Sequence, residues 1–470
     1  MRIKSSGVGV MISKRSLFLL LAAVLYIISP ACNSRPVEGV KKPVERKSPP
    51  PLQVSKSKLD REKERLSKWL DRNTGYQHVP SSAVAIVQND EVLFVKATGA
   101  ASSWPYSIAS FTKIFVALAV LHLADHGMLQ LDDPVHKHLP VQLERVEIGS
   151  PAVTVRYLLN HTSGIADRGE FRTVELDPPL SLPIQRYPAG YQFSYSNAGY
   201  NLLGYLVAEV SEMNLGDYIT KFILKPLGMN DSIAPRSMKG SSGMKCSIDD
   251  MAKFVRMLLG RGTVEGKTIV SRKLFDQMFD ESIGIPPARF KEFRGIAWRV
   301  WTVDDKLYSY NHASLWFGSG GWIQIFPAMD VGYVFMSDTP DFRLPAFENF
   351  HNGLKCQLLR FAGLFCNGHV HPASFKPTMP DRALLEEFTG TYHDPLNGAS
   401  IEVSFRGTSL VAVKNSRARY GLIPMTVNTF IHKQSVSPRV LKFDFVWKDD
   451  RVVGLATRYA YYTREYAPGK

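Results

Sequence analysis

Ser110 and Lys113 are the first two side chains whose types and spacing suit covalent chemistry. They stand at the two ends of the tetrapeptide SFTK, which opens an apolar run that continues to Leu123 and stops before Gly127. Residues three apart share one face of a helix, which would bring the hydroxyl and the amine together. Burial lowers the pKa of a lysine, and a neutral amine can accept the proton of a serine hydroxyl. The pair predicts an activated serine, and the alternative is a helix cap followed by a lysine that reaches solvent.

Spacing alone does not single out this pair, because Ser55 with Lys58 and Ser242 with Lys245 have the same spacing. The first of these lies in a proline-rich stretch and the second in a Gly/Ser loop, so only the SFTK pair heads an apolar helix. The N-terminus of that helix also offers unpaired backbone N–H groups where the oxyanion of a tetrahedral intermediate would form.

A phenol and an amide stand just before a second apolar helix. The stretch FSYSNAGYNLLG contains Tyr195 and Asn197 at the predicted helix start. Both side chains suit a catalytic site. The alternative is that Asn197 is a simple N-cap and Tyr195 a core residue.

Apolar periodicity around these residues predicts an α+β body. The stretch LDREKERLSKWLDRNTG has the spacing of an amphipathic helix, and SAVAIVQNDEVLFVKATGA has that of two strands joined by a turn. Further helices are predicted at residues 109–126, 153–160, 197–212 and 248–259, and further strands at residues 321–326 and 331–338. Strands at both ends with helices between them predict a sheet that joins the two ends of this segment.

The pattern of apolar and polar residues changes after about residue 375. Short stretches such as IEVSF, LVAVK and VLKFDFVW alternate apolar and polar residues and are separated by Gly, Asn and Asp turns. This pattern predicts an all-β domain at residues 376–470, either a small barrel or a sandwich.

Residues 1–31 are predicted to be a secretory signal peptide. Basic residues precede an apolar run from Leu17 to Ile28, and small residues then lead to Cys32. The run is short for a membrane-spanning helix. Cys32 is similar to the lipid-attachment cysteine of bacterial lipoproteins, with ordinary cleavage or an uncleaved anchor as alternatives.

Residues 32–58 are rich in proline and charge and poor in apolar residues, so they are expected to form a linker. The protein is therefore expected in the bacterial cell envelope, anchored to a membrane by lipid and facing the periplasm. Asn33 stands where an aspartate commonly retains lipoproteins at the inner membrane, and this favours the outer membrane.

Composition excludes two classes of protein. The net charge of +14 is spread thinly, without a basic cluster interleaved with aromatics, so no nucleic-acid partner is expected. An anionic envelope or cell wall fits the charge better. Four cysteines are too few for an exported fold built on disulfides.

Five motifs in this order resemble those of the class C β-lactamase and D,D-peptidase family of penicillin-recognising serine hydrolases. They are SFTK, LLNHTSGI, PAGYQFSYSNAGYNLLGYLVAEVS, KPLGMNDS and IDDMAKFVRMLL. The resemblance implies an antiparallel sheet with flanking helices and a helical subdomain at residues 59–370, and the tail is similar to a lipocalin-like β domain. It also implies that His161, within LLNHTSGI, braces a turn beside the site.

The resemblance implies a role for each residue already singled out. Ser110 would be the acylated nucleophile, Lys113 its base, Tyr195 the proton relay to the leaving group, and Asn197 the ligand of the substrate amide. The oxyanion hole would be the backbone N–H groups of Ser110 and Leu315. The family needs no metal or organic cofactor for this chemistry, and its substrates are small molecules or peptides, among which peptidoglycan-derived ones are a candidate here.

The third motif of the family, Lys-Thr-Gly or His-x-Gly, matches NHASLWFGSGGWIQIF. His312 takes the cationic or hydrogen-bonding position, and Ser314 stands where glycine is expected, with bulky Leu315, Trp316 and Phe317 after it. We expect a narrow, apolar cleft that suits an ester or a small amide better than ordinary penicillins. The alternative is a non-catalytic protein that binds peptidoglycan or a peptide and whose third motif has degenerated.

Two histidine groups have spacings that occur in metal sites. His122 and His126 are four residues apart on one helix, and Cys366 lies close to His369 and His371. The first pair lacks a third ligand in the sequence, and we expect neither group to bind metal.

Overall fold

The computed structural model describes the chain from residue 54 to residue 464. It leaves out residues 141–150, 166–170, 175–179, 184, 186–187, 191–192, 281–289, 304–305, 366–381, 395–397, 425–428, 433–441, 449–450 and 458–460. The predicted signal peptide, Cys32 and almost all of the linker lie outside the described residues, as do Cys366, His369 and His371. Within the described ranges no helix combines the length and the apolar character that a membrane crossing requires.

Helices in the described part of the chain are numbered in order. They are α1 Lys56–Asn73, α2 Thr112–Asp125, α3 Val155–Leu159, α4 Asn197–Ser211, α5 Leu215–Ile219, α6 Ile248–Leu259, α7 Arg272–Asp276, α8 Pro345–Ala362 and α9 Arg382–Glu387.

Strands up to residue 337 are β1 Ser82–Gln88, β2 Glu91–Thr98, β3 Tyr106–Ser107, β4 Phe171–Val174, β5 Leu180–Pro183, β6 Lys245–Cys246, β7 Thr263–Val264, β8 Lys267–Thr268, β9 Phe290–Arg294, β10 Arg299–Val303, β11 Lys306–Trp316, β12 Ser319–Phe326 and β13 Val331–Ser337. The later strands are β14 Gly390–His393, β15 Ser400–Arg406, β16 Ser409–Lys414, β17 Ala418–Pro424, β18 Thr429–His432, β19 Lys442–Lys448, β20 Arg451–Thr457 and β21 Tyr461–Arg464.

A seven-stranded antiparallel sheet forms the centre of the body, in the order β2-β1-β13-β12-β11-β10-β9. The predicted hairpin is confirmed: β1 and β2 pair, and Asn89 and Asp90 between them have φ values of 48° and 65°. Two consecutive residues at positive φ are typical of the tight turns that match the twist of a hairpin. The prediction that the sheet joins both ends of the segment is also confirmed, because β1 pairs with β13 from Ser82 to Gln88.

Each face of the sheet is covered by helices. On one face α1 and α8 pack through Leu66, Leu70, Phe347 and Leu354, all buried. The other face is covered by α2, α4 and α6 in the larger core. Eleven of the fourteen residues of α2 are buried, which is expected of a helix that is apolar on all sides. Lys113 therefore lies at the start of the most enclosed helix of the body.

The tail is a closed barrel in which β14 to β21 follow one another in order. Its interior is filled by side chains that include Phe388, Tyr392, Phe445 and Tyr462. Of the two predicted alternatives, the structure shows a barrel rather than a sandwich, and the interior of the barrel is packed with side chains.

Acid is expected to destabilise the fold through the buried histidine of α8. Burial lowers the pKa of His351 to about 3, with the neighbouring positive charge of Lys355 as the smaller cause. The unfolded chain binds this proton near pH 6.5, so the contribution to stability is complete above about pH 6.5 and is lost as the pH falls toward 3. We predict that His351→Leu reduces the pH dependence of the unfolding free energy by up to about 1.4 kcal/mol per pH unit in this range.

Urea unfolding at a series of pH values measures this slope. His136→Leu is the matched control, because His136 is exposed, and it should leave the slope as in the wild type. An unchanged slope in His351→Leu would contradict the prediction.

Candidate active site

A strained turn carries Ser110. After β3 the chain forms a single 3-10 turn, Ala109–Phe111, and α2 begins at Thr112 rather than at residue 109 as the sequence predicted. Ala109 has a φ of 36°, in the left-handed region that residues with a Cβ rarely adopt. Such strain persists only where the surrounding structure enforces it, and it is common at functional sites.

Lys113 lies below this turn and is fully buried. Its Nζ atom is 2.7 Å from Asn197 Oδ1, 2.9 Å from the carbonyl oxygen of Ser241 and 3.4 Å from Ser110 Oγ. The alternative of a lysine that reaches solvent is therefore wrong. The amine is instead held by three oxygen atoms from three parts of the chain.

Tyr195 also contacts Ser110. Its hydroxyl donates to Ser110 Oγ at 2.9 Å, and its ring centroid lies 4.8 Å from Lys113 Nζ. The side chain is 38% exposed, so the alternative of a core tyrosine is wrong. Ser110 Oγ thus lies between a phenol and an amine, each of which can exchange a proton with it.

Ser196 rather than Asn197 caps α4. The Ser196 hydroxyl accepts a hydrogen bond from the backbone N–H of Gly199 at 2.9 Å. The alternative of Asn197 as the N-cap is therefore wrong. Asn197 is the first residue of the helix, and its amide oxygen is free of the capping role and contacts Lys113 instead.

His161 holds the segment that presents Tyr195. Its backbone carbonyl accepts from the N–H of Ser194 at 2.8 Å, and its ring Nδ1 accepts from the N–H of Ser196 at 3.1 Å. Its ring also lies 4.6 Å from that of Tyr195, between centroids. Burial holds the pKa of His161 well below its usual value, so the ring stays neutral and Nδ1 remains an acceptor.

We predict that His161→Leu lowers kcat/KM by about 10- to 100-fold, because the buried N–H of Ser196 loses its acceptor and Tyr195 its support. His161→Asn should recover much of this loss, since the Asn amide oxygen occupies the position of Nδ1. Asparagine also tolerates the φ of 62° at this position. The decrease in kcat/KM should come mainly from a lower kcat. Equal activity of the two variants, both folded by circular dichroism, would contradict the role.

His312 lies on β11 and faces the same turn. Its Nδ1 donates to the carbonyl oxygen of Ala297 at 2.6 Å, and its ring meets that of Phe111 edge-on at 6.1 Å. Burial, the largest cause, lowers the pKa of His312 to about 4, and the nearby Lys113 acts in the same direction. Of the two expected roles, the hydrogen-bonding one fits, because a neutral ring with a protonated Nδ1 leaves Nε2 as an acceptor.

The Ser314 side chain links β11 to the turn that carries Ser110. Its side chain is buried, and Oγ donates to the carbonyl oxygen of Ile108 at 2.7 Å. The hydroxyl that replaces the expected glycine thus faces the turn, and it adds a hydrogen bond there. Leu315, Trp316 and Phe317 are exposed by 39%, 61% and 47%.

One edge of β11 is available beside the serine. Its pairing with β10 ends at the pair Arg299 and Asn311, whereas its pairing with β12 continues to Trp316. In the described part of the chain, β11 therefore has no strand partner on its outer edge beyond Asn311. An extended ligand can add to such an edge through backbone hydrogen bonds.

The site uses two groups that sequence patterns do not signal. The carbonyl oxygens of Ser241 and Ala297 fix the amine of Lys113 and the ring of His312. Backbone acceptors carry no residue-type signature, and only the fold reveals them. The histidine pair of α2 is separate from the site: His122 Nδ1 is bonded to the Tyr218 hydroxyl at 2.7 Å.

Curated relatives match about a third of the chain. Protein Flp of Staphylococcus aureus (strain N315) is 30% identical over 184 residues, which is 35% of this chain and 37% of Flp. Esterase EstB of Burkholderia gladioli is 34% identical over 182 residues, which is 32% of this chain and 46% of EstB. The chain thus spans less than half the length of these relatives.

Solved structures share the fold over most of the chain. The octameric penicillin-binding protein homologue from Pyrococcus abyssi has a TM-score of 0.51 at 21% identity, covering 86% of this chain and 98% of that one. A crystal structure of SurE with D-Leu has a TM-score of 0.62 at 20% identity, covering 87% of this chain and all of that one.

The family model described as Beta-lactamase matches residues 66–352, more than half of the chain, and this range contains every residue of the site. The chain therefore belongs to the Beta-lactamase family of serine hydrolases.

Proposed function

We propose that this protein is a serine hydrolase that cleaves an ester or a small amide through an acyl-enzyme in the bacterial cell envelope. The observation that carries the proposal is the position of Ser110 Oγ, 2.9 Å from the Tyr195 hydroxyl and 3.4 Å from Lys113 Nζ. A serine becomes a nucleophile when an adjacent base takes its proton, and this arrangement provides two candidates for proton exchange.

Acylation begins when Lys113 accepts the hydroxyl proton and Ser110 Oγ attacks the carbonyl carbon of the substrate. The negative charge that develops on the carbonyl oxygen is stabilised by the backbone N–H groups of Ser110 and Leu315. Each donor of this kind is worth about 3 kcal/mol in comparable hydrolases. The strained turn at Ala109 fixes the direction of the first N–H before substrate arrives.

Collapse of the intermediate requires a proton on the leaving group. Tyr195 donates its hydroxyl proton to the departing oxygen or nitrogen and recovers one from Lys113. Asn197 binds the substrate amide, and Nε2 of His312 accepts a hydrogen bond from a polar N–H or O–H of the substrate. Water then attacks the acyl carbon, the same groups transfer its proton, and the acid product leaves with Ser110 restored.

Ester substrates are favoured for two reasons. The exposed residues after Ser314 are apolar, and EstB, a relative over part of the chain, is an esterase. We propose that the protein is exported, anchored by lipid at Cys32 and held in the periplasm, where peptidoglycan-derived peptides are the second candidate substrates.

A non-catalytic binding protein is the competing function, since a third motif without glycine can mark lost catalysis. The bond from Ser314 to the carbonyl of Ile108 favours the enzyme, because the substituted residue supports the turn of the serine. In the binding-protein case, substrate-like ligands would bind without turnover, and Ser110→Ala would leave their affinity unchanged.

Steady-state kinetics with an aryl acetate ester and with benzylpenicillin tests the proposal. We expect ester hydrolysis, with an initial burst of released phenol if the acyl-enzyme is hydrolysed more slowly than it forms, and slow or absent turnover of benzylpenicillin. Ester activity that persists unchanged in Ser110→Ala would overturn the proposal. Rapid cleavage of benzylpenicillin without ester cleavage would overturn the ester preference alone.

A further inference from the structure

Trp316 lies on the same face of β11 as His312 and Ser314, because alternate residues of a strand point to the same side. The ring of His312 meets the ring of Phe111, and Ser314 Oγ bonds the carbonyl oxygen of Ile108. Both contacts are with the turn that carries the nucleophile. The indole of Trp316 therefore stands on the nucleophile's side of the sheet, about 7 Å along the strand from Ser314.

The indole is supported at one edge and open to solvent elsewhere. The Phe317 ring lies 6.1 Å from the Trp316 ring, edge-on, and Phe317 is itself fixed by the Phe342 ring at 5.7 Å and the Arg343 guanidinium at 4.5 Å. Yet Trp316 is 61% exposed, the largest fraction among the exposed large hydrophobic residues of the described chain. A tryptophan that is both braced and exposed offers a rigid apolar surface to a ligand.

The direction of the substrate follows from the position of Tyr195. Its hydroxyl contacts Ser110 Oγ from the helical side, where it would protonate the leaving group. The leaving group therefore occupies that side of the serine. The acyl group points the other way, along the edge of β11 that has no strand partner beyond Asn311 among the described residues, and this edge ends at Trp316.

We propose that Trp316 is the end wall of an acyl-binding subsite and that the enzyme prefers esters of longer apolar acids to acetate esters. This inference rests on the proposed ester hydrolase function. Leu315 does not serve the same purpose, because its side chain alternates to the opposite face, on which α8 packs.

We expect the subsite to discriminate between substrates by the length of their acyl chain. Each methylene group that leaves water for an apolar surface favours the bound state by up to about fourfold, and contact with one wall gives part of that. Methylene groups that do not reach the indole should raise kcat/KM little, and those that contact it should raise kcat/KM most. The preference should therefore rise at the chain length that first reaches the indole rather than evenly from two carbons.

The test compares kcat/KM of the full chain for p-nitrophenyl esters from acetate to octanoate. We expect Trp316→Ala to lower the octanoate-to-acetate ratio about tenfold, and Trp316→Phe to keep most of the ratio. Tyr76→Ala is the matched control, because Tyr76 is an aromatic residue that is 54% exposed and lies on the loop after α1. It should leave the ratio as in the wild type.

Two failures are distinguishable. An octanoate-to-acetate ratio that is the same in Trp316→Ala and wild type overturns the subsite and leaves the hydrolase intact. A wild-type protein that cleaves none of the esters overturns the proposed function, and the subsite with it.

Discussion

Lys113→Met is expected to lower kcat/KM for an ester substrate by about 10³-fold or more, because it removes the base that takes the proton of Ser110. Methionine is close to lysine in length and apolar, so the enclosed position beside α4 remains filled. The carbonyl oxygen of Ser241 and the amide oxygen of Asn197 lose their donor, so some loss of stability is expected as well. The measurement is kcat/KM at a temperature at which circular dichroism shows the variant fully folded.

Lys96→Met is the control for the lysine prediction. Lys96 is partly buried and forms an ion pair with Asp71 at 2.7 Å, and it lies on β2 at one edge of the sheet. The kcat/KM of Lys96→Met should stay within about twofold of the wild type, since a single ion pair near the surface contributes little to stability. Comparable losses in both variants would mean that activity falls through general destabilisation, and Lys113 would lose its assigned role.

Tyr195→Phe is expected to lower kcat by about 10²- to 10⁴-fold, the contribution of one positioned proton donor. The substitution keeps the ring that packs on His161 and removes only the hydroxyl that contacts Ser110. KM should change little, because the phenol acts on the leaving group rather than on ground-state binding. The loss should be smaller for p-nitrophenyl esters than for alkyl esters, since p-nitrophenolate needs no proton to depart.

Tyr218→Phe is the matched control for this second prediction. The Tyr218 hydroxyl also contacts a side chain, His122 Nδ1 at 2.7 Å, on the opposite end of α2 from the serine. Its removal should leave kcat unchanged within about twofold. A kcat of Tyr195→Phe equal to that of wild type for both ester classes would exclude Tyr195 as the proton donor.

The local motifs of the site were predictable from sequence because they combine chemistry with a helix start. The SFTK tetrapeptide and the YSN tripeptide each precede an apolar helix, and the structure brings the two helix starts together. The alternative that Asn197 caps α4 is wrong, and the sequence leaves it open because both serine and asparagine are good caps and only the backbone geometry decides between them.

Parts of the fold escaped prediction for identifiable reasons. Helix α8 begins after Leu344 without a side-chain cap, so its start carries only a proline signal. Strands β9 and β10 are five residues each, and β9 at the edge of the sheet lacks the alternation of apolar and polar residues that predicts a strand, since its sequence is FKEFR. The sequence did not distinguish a closed barrel from a sandwich, because the strands of both alternate apolar and polar residues.

The effect of Ser314 depends on the direction of its side chain, which the sequence does not show. A serine in place of glycine suggested a narrower cleft, since a side chain was expected at the strand edge. In the structure the side chain turns inward to the carbonyl of Ile108. Whether a substituted motif residue hinders or supports a site thus depends on the face to which its side chain points.

Intact mass spectrometry of the full chain after incubation with a fluorophosphonate probe tests the central claim, the activated nucleophile at Ser110, most directly. We predict one covalent adduct on the wild type, none on Ser110→Ala, and a strongly slowed adduct on Lys113→Ala. The neighbouring hydroxyl variants Ser107→Ala and Thr112→Ala should still be labelled. An adduct that persists in Ser110→Ala, or a folded wild-type protein that takes up no probe at all, would contradict the account.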